Sequence, residues 1–172
     1  MQRPPVVWLH FAECTGCSEA LLRTQHPYID ELILEVLSVE YHETIMAASG
    51  HQAEEQLQHT VEKYNGNFIC IVEGSIATKY NGGYGKVAGK SFHDIASEVC
   101  KKAKAVISMG TCAAYGGIPA AAPNPGGYKS VSEAVNIPTL NIPGCPPNPV
   151  NLIGTIVHYL LLNELPKLDN LG

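Results

Sequence analysis

Short, mostly apolar runs recur along the chain and alternate with segments of helical periodicity. Strands that are apolar at nearly every position are typical of parallel sheets buried on both faces. Glycine, proline, asparagine or other loop-forming residues flank these runs, as expected for strand boundaries. Five strands are predicted in this way: Val6–Phe11, Leu37–Tyr41, Phe68–Val72, Ala105–Met109 and Thr139–Ile142.

The segments between these runs carry helix signals, such as Leu57 and Val61, which are spaced i, i+4. Alternating strands and helices imply right-handed crossovers and a parallel sheet. We therefore expect one flavodoxin-like α/β domain over residues 1–172, a doubly wound parallel sheet of about five strands with helices on both faces. The predicted helices are Glu19–Arg23 with Ser18 as its cap, Tyr28–Val36, Ala53–Tyr64, Phe92–Lys102, Val131–Val135 and Val150–Leu162.

Composition narrows the range of partners and locations. The chain has 172 residues, a formal net charge of −5 and no block of lysine or arginine, which argues against a nucleic-acid partner. No apolar run approaches the roughly 20 residues of a transmembrane helix, so we expect a soluble protein. The amino terminus shows no export signal. That leaves two alternatives, a cytoplasmic protein or the mature form of an exported one.

Four of the six cysteines follow the ends of predicted strands. Cys14 and Cys17 follow the first strand, Cys112 comes three residues after Met109, and Cys145 comes three residues after Ile142. Ligands of open α/β sheets bind at the carboxyl ends of the strands, where the loops converge. The sequence therefore predicts that four thiols from three distant segments meet at one edge of the sheet.

Four cysteines without a histidine or carboxylate in matching positions suit a soft metal centre, either Zn²⁺ or an iron–sulfur cluster. Structural zinc sites usually use two close pairs of ligands. Here there is one close pair, Cys14 and Cys17, and the other two cysteines come from separate segments of the chain. The proline after Cys145 also resembles the Cys-Pro that ends some cluster motifs. This spacing favours a [4Fe–4S] cluster on Cys14, Cys17, Cys112 and Cys145, with zinc as the alternative.

The spacing of the cysteines alone leaves two other roles open, a redox-active pair and a structural role in the core. Cys14 and Cys17 form a Cys-x-x-Cys pair beside a βαβ unit, as in thioredoxin-like enzymes. That hypothesis leaves Cys112 and Cys145 unexplained. Cys70, inside a strand, and Cys100, on a helix, are expected to be structural, because free cysteines are commonly small buried hydrophobes.

Several long motifs resemble the small subunit of nickel-iron hydrogenases, and the resemblance covers nearly the whole chain. It implies that Cys14, Cys17, Cys112 and Cys145 ligate the proximal [4Fe–4S] cluster, and that the nickel-iron centre lies in a separate large subunit. The chain would relay electrons for H₂ oxidation or proton reduction, with a cytochrome or ferredoxin as the electron partner. The motifs are VVWLH at 6–10, ECTGCSE at 13–19, VEGS at 72–75, GTCAAYGG at 110–117 and PGCPPNP at 143–149.

Two departures within these motifs are informative. Oxygen-tolerant members of the family have extra cysteines just before the second ligand and five residues after the third, where this chain has Gly16 and Gly117. The resemblance therefore implies an oxygen-sensitive enzyme. The related quinone-linked subunit of respiratory NADH dehydrogenase has adjacent cysteines in its first motif, whereas here Thr15 and Gly16 intervene. It is the weaker match.

Length is a third departure, because family members usually continue into a C-terminal domain with the medial and distal clusters. That domain is absent from these 172 residues, and we expect a fragment or cleaved form, periplasmic if the chain is a mature exported form and cytoplasmic otherwise. Glu13, Thr15 and Glu73 in the cluster loops are candidates for hydrogen bonding or proton transfer, with a structural role as the alternative for Glu73. His10 is expected to be a core or interface residue.

Overall fold

The computed structural model describes residues 3–170. Its strands and helices alternate along the chain, as the sequence pattern predicts. The strands are β1 Pro5–His10, β2 Ser38–His42, β3 Ile69–Glu73, β4 Ile76–Ala77, β5 Lys86–Val87, β6 Lys90–Ser91, β7 Ala105–Met109, β8 Tyr128–Lys129 and β9 Leu140–Ile142. The α-helices are α1 Gly16–Leu21, α2 Ile29–Glu31, α3 His51–Lys63, α4 Phe92–Cys100, α5 Thr111–Tyr115, α6 Val131–Val135 and α7 Pro149–Leu162. A π-helical turn at Leu32–Val36 extends α2, and 3₁₀ turns lie at Tyr80–Gly82 and Ile118–Ala120.

The central sheet has five parallel strands in the order β2-β1-β3-β7-β9. This is the flavodoxin-like order, and it confirms the predicted fold class. The chain winds outward in both directions from the neighbouring strands β1 and β3. Their carboxyl ends therefore leave the crevice in which doubly wound sheets bind ligands.

Helices cover both faces of the sheet and create two hydrophobic cores. Leu57 of α3, Val99 of α4 and Val135 of α6 pack with Val7 and Cys70 on one face. On the other face α1, the π-helical turn and α7 pack against side chains that alternate with those, including Val6, Trp8, Ile71 and Met109. Burial on both faces explains why β1, β3 and β7 are apolar at almost every position.

Local differences from the predicted elements concentrate in short segments. Ser18 was expected to cap a helix beginning at Glu19, but α1 begins at Gly16 with Thr15 at its cap position, so Ser18 lies inside the helix. The antiparallel pairs β4 with β8 and β5 with β6 were not predicted, because two-residue strands leave no periodicity to detect. In the described range 3–170, no helix combines the length and the apolar character that spanning a membrane requires.

Candidate metal centre

Three loops at the carboxyl edge of the sheet carry the four predicted cysteine ligands. β1 ends at His10, and the turn that follows holds Cys14 and leads into α1, which contains Cys17. Cys112 lies in the first turn of α5, directly after β7. Cys145 follows β9, and the backbone N–H of Thr111 donates to the carbonyl of Gly144 at 2.9 Å, which ties the last two loops together. The structure thus places all four residues at the edge where the sequence predicts them.

Two glycines allow the backbone to approach these sulfur atoms closely. Gly110 has φ 88° and ψ 160°, a backbone region that is essentially restricted to glycine. A Cβ atom at Gly110 would overlap Sγ of Cys17, and a Cβ at Gly117, where φ is 56°, would lie 2.7 Å from Sγ of Cys112. The loops therefore form a cradle around the thiols that any larger side chain would fill.

The thiols interact electrostatically with one another and with nearby carboxylates. The pKa of the Cys17 thiol is raised to about 12, mainly by burial and then by the charge of Glu73, with further contributions from Cys112 and Cys14. Burial also raises the pKa of Cys112, and the proximity of Cys145 and Cys14 adds to the increase. These mutual effects connect thiols from all three loops, so the four side chains form one group.

The four thiols do not form a preformed site for a single metal ion. Among residues 3–170, no three histidine, cysteine, aspartate or glutamate side chains lie close enough together to hold one ion. A tetrahedral zinc site needs four sulfur atoms at about 2.3 Å from the metal. A cube of iron and sulfide separates its four cysteine ligands more widely, because each thiolate binds a different iron atom. The all-thiol donor set and the glycine cradle therefore fit an iron–sulfur cluster.

Glu73 is completely buried at the end of β3, beside the cysteine loops. Its Oε1 accepts a hydrogen bond from Nε1 of Trp8 at 2.9 Å and one from the hydroxyl of Ser18 at 2.5 Å. Its Oε2 has no hydrogen-bond partner among residues 3–170. A buried carboxylate is unfavourable without hydrogen bonds. The two donors thus explain how Glu73 is held in an interior position next to the ligands.

Two histidines lie beside the hydroxyl of Ser18. Nε2 of His10 lies 3.2 Å from Oγ of Ser18, and Nε2 of His42 lies 3.4 Å from it. The two rings stack obliquely with their centroids 4.7 Å apart. Burial, followed by the charge of His10, lowers the pKa of His42 to about 4. The imidazole of His42 is therefore neutral at ordinary pH.

Glu13 and Thr15 lie in the turn beside Cys14, as expected. The hydroxyl of Thr15 donates to Oε1 of Glu13 at 3.2 Å, and Oε2 of Glu13 is without a partner. The pKa of Glu13 is raised, first by burial and then by the charge of Glu73. Two carboxylates thus share one region of restricted solvent access, which makes the edge of the sheet electrostatically negative.

Cys70 and Cys100 lie outside this site. They are buried in the core between β3 and α4, with Sγ atoms 3.8 Å apart. Burial and the adjacent Cys100 thiol raise the pKa of Cys70 well above its ordinary value. This environment agrees with the structural role predicted for both residues.

Sequence comparisons place the whole chain in one group of proteins. Residues 14–159 match the family described as NADH ubiquinone oxidoreductase, 20 Kd subunit. The chain is 54% identical over 171 residues to the periplasmic [NiFe] hydrogenase small subunit 1 of Nitratidesulfovibrio vulgaris. The aligned region covers 98% of this chain and 54% of that protein. It is 47% identical over 170 residues to the hydrogenase-2 small chain of Escherichia coli, with 98% and 46% covered. The chain belongs to the [NiFe] hydrogenase small-subunit family.

Structural comparison agrees with this family. The [NiFeSe] hydrogenase of Desulfomicrobium baculatum superposes with a TM-score of 0.93 at 39% sequence identity, over 99% of this chain and 69% of that chain. The chain spans about half the length of the hydrogenase small subunits that it matches in sequence. The predicted resemblance to this family is therefore confirmed.

Sequence reasoning missed part of this hydrogenase small-subunit site, namely Trp8, Ser18, His42 and Glu43. Ser18 was interpreted as a helix cap, and the histidines showed no ligand spacing. One signal was available: His10, His42 and Glu73 are the last residues of three neighbouring strands. Polar residues that end otherwise apolar strands converge at the ligand-binding edge of such a sheet.

Proposed function

We propose that this chain holds one [4Fe–4S] cluster through Cys14, Cys17, Cys112 and Cys145 and relays electrons as the small subunit of a nickel-iron hydrogenase. The observation that carries this proposal is the convergence of four thiols from three loops at one sheet edge, in a chain of this family. The cluster corresponds to the proximal one, nearest to the nickel-iron centre of the large subunit. Residues 1–172 then form the proximal-cluster domain.

The chemistry is divided between two subunits in this proposal. H₂ ⇌ 2H⁺ + 2e⁻ takes place at the metals of the large subunit, and the cluster, when bound, accepts and donates single electrons. The residues of this chain hold the cluster, exclude water and set its electrostatic surroundings. Glu13, Thr15 and Glu73 remain candidates for hydrogen bonding or proton transfer at this edge.

Two alternative functions fit the site less well. A single zinc ion needs four sulfur atoms at about 2.3 Å from one metal, and residues 3–170 contain no group of three donors arranged for a single ion. A thioredoxin-like enzyme needs only the Cys-x-x-Cys pair of Cys14 and Cys17. That enzyme would have no use for Cys112 and Cys145.

An apolar pocket beside the first cysteine loop is a suitable contact surface for the large subunit. It has a volume of about 470 Å³ and borders Thr15 at one end. Leu22 and Ile45 line it and are 57% and 52% exposed. Exposed apolar side chains around a pocket are typical of protein interfaces. We propose that apolar side chains of the large subunit fill this pocket when the two subunits assemble.

Three narrower proposals follow from the family. Gly16 and Gly117 occupy the positions of the extra cysteines of oxygen-tolerant members, so we propose an oxygen-sensitive enzyme. A cytochrome or ferredoxin is the proposed electron partner. A periplasmic location is proposed because the N. vulgaris relative is named as periplasmic, with the cytoplasm as the alternative.

Anaerobic purification together with the cognate large subunit tests the main proposal. We expect about four irons and four labile sulfides from this site, a broad brown absorption band, and hydrogen turnover that requires both subunits. A colourless chain containing one zinc would support the zinc alternative. Disulfide reduction by the chain alone, without iron, would support the thioredoxin-like one. Either result would refute the cluster.

A charged substitution in the apolar pocket tests the proposed contact surface. Leu22→Glu should reduce recovery of the heterodimer by at least about tenfold, because a buried unpaired carboxylate costs several kcal/mol. The matched control is Leu161→Glu, since Leu161 is 68% exposed on α7, away from the cysteine loops. Pull-down of the tagged large subunit measures both variants. Equal recovery of L22E and L161E would contradict the proposed surface.

A further inference from the structure

The buried carboxylate of Glu73 is electrostatically linked to a cluster ligand. Its charge is the largest contribution after burial to the raised pKa of Cys17. The side chain is 0% exposed, so water does not screen this effect efficiently. A negative charge in this position opposes the addition of an electron to a nearby centre. The environment of Glu73 should therefore affect the reduction potential of whatever the cysteines bind.

His10 is the ionisable side chain that lies beside this carboxylate. Its Nε2 lies 3.8 Å from Oε1 of Glu73, and its Nδ1 lies 3.3 Å from Oε1 of Glu43. The parallel register pairs His10 directly with Glu73 across β1 and β3. The His10 side chain is 6% exposed. A proton on His10 would therefore be held between two carboxylates in the interior.

The backbone around His10 reinforces this position. The backbone N–H of His10 donates to Oε1 of Glu43 at 3.0 Å, the same oxygen that faces Nδ1. Ser18 lies between the ring and Glu73, since its hydroxyl donates to Oε1 of Glu73 and lies 3.2 Å from Nε2 of His10. Strand register and three polar contacts thus orient the imidazole toward the carboxylate next to the cluster loop.

We propose that His10 is a positioning residue whose positive charge compensates Glu73 and thereby raises the reduction potential of the iron–sulfur cluster bound by the adjacent cysteines. This inference rests on the proposed function. The charge of His10 also reaches the first cysteine loop directly, because it lowers the pKa of Glu13 against the effects of burial and Glu73. The ionisable groups around the imidazole are Glu13, Glu43, Glu73 and His42.

His42 offers a matched control within the same cluster of side chains. It is equally buried, at 4% exposure, and its Nε2 faces the same Ser18 hydroxyl at 3.4 Å. Its Nδ1 faces the hydroxyl of Thr44 at 3.1 Å and no carboxylate. It stays neutral because burial disfavours its protonated form. The two histidines therefore share burial and a hydrogen-bonding neighbour, but among the described residues only His10 of the two lies within 4 Å of carboxylate oxygens.

The test is a redox titration of the purified heterodimer at pH 6, following the paramagnetic signal of the reduced cluster. His10→Gln keeps a polar side chain but removes the ionisable ring, so its potential should be lower than that of the wild type. His42→Gln should leave the potential unchanged.

Repeating the His10→Gln substitution in a Glu73→Gln variant shows whether His10 affects the reduction potential through Glu73. Glu73→Gln should raise the potential, and adding His10→Gln to it should change the potential far less than in the wild type. If H10Q does not assemble, His10→Asn takes its place in both backgrounds: a lowered potential only where Glu73 is present supports the inference, and an equal shift in both backgrounds overturns it.

Two further outcomes separate the inference from the proposed function. Iron-loaded H10Q with the potential of the wild type overturns the role of His10 and leaves the cluster proposal standing. A wild-type heterodimer without iron at this site overturns both.

Discussion

Two groups of cysteines in this chain share the same chemistry but occupy opposite environments. Cys14, Cys17, Cys112 and Cys145 lie on loops and helix starts beyond the strand ends, half-buried or exposed. Cys70 and Cys100 lie within β3 and α4 and are completely enclosed by the core. The first group converges from three segments of the chain, whereas the second is a single contact between a strand and its covering helix.

The difference shows that position relative to a strand end determines what a cysteine does in this fold. Beyond the strand, backbone loops are free to bend around a ligand, and glycines such as Gly110 make room for sulfur. Within the strand, both faces are covered and the thiol is one more apolar side chain. Substitutions in the first group should therefore affect iron binding, whereas substitutions in the core pair should affect only the stability of the fold.

The largest expected effect is the loss of the cluster when a ligand at the sheet edge is replaced. Cys145→Ser should abolish most of the bound iron and the hydrogen turnover of the heterodimer, because a serine hydroxyl does not replace a thiolate on iron. Metal analysis and hydrogen uptake measure this loss. Cys100→Ala is the control and should retain its iron. Full iron and full turnover in C145S would remove the distinction between the two groups.

A smaller effect is expected when the glycine cradle is filled. Gly110→Ala should destabilise the protein by about 2–3 kcal/mol, because the native φ and ψ exclude alanine and its Cβ would overlap Sγ of Cys17. Thermal unfolding and iron content check both consequences. Gly154→Ala is the matched control. Gly154 lies in α7 with no atom within 4 Å of the added Cβ, so this substitution should stabilise by roughly 0.5–1 kcal/mol. Identical melting curves for G110A and G154A would show that the cradle is not tight.

The smallest effect is expected in the core pair. Cys100→Ala removes one buried sulfur and its contact with Cys70, which should cost about 1 kcal/mol of unfolding free energy. For a domain of this size the melting temperature should fall by about 2–4 °C. Differential scanning calorimetry of the iron-loaded protein measures the shift. A loss of iron in C100A, with little change in melting temperature, would assign the core pair to the metal site after all.

The sheet and the positions of the four cysteines beyond its strand ends could be predicted because each depends on a local signal. Apolar runs indicate strands. A cysteine three residues after Met109 or Ile142 can therefore be assigned to the carboxyl edge of the sheet from the sequence alone. Ser18 shows where this approach ends. A serine before an acidic, helix-forming segment is a common cap, but here helix α1 begins two residues earlier and the hydroxyl donates to Glu73, 55 residues away.

The sequence by itself determined the alternation of strands and helices, and it determined that four thiols would follow strand ends. Tertiary structure alone decided which polar side chains surround those thiols. His10 meets Glu73, and Trp8 meets His42, only because the register of β1 with its two neighbours brings them side by side. Register depends on the packing of both faces of the sheet at once. No segment of the chain contains that information alone, so this network of buried charge appears only when the whole domain has folded.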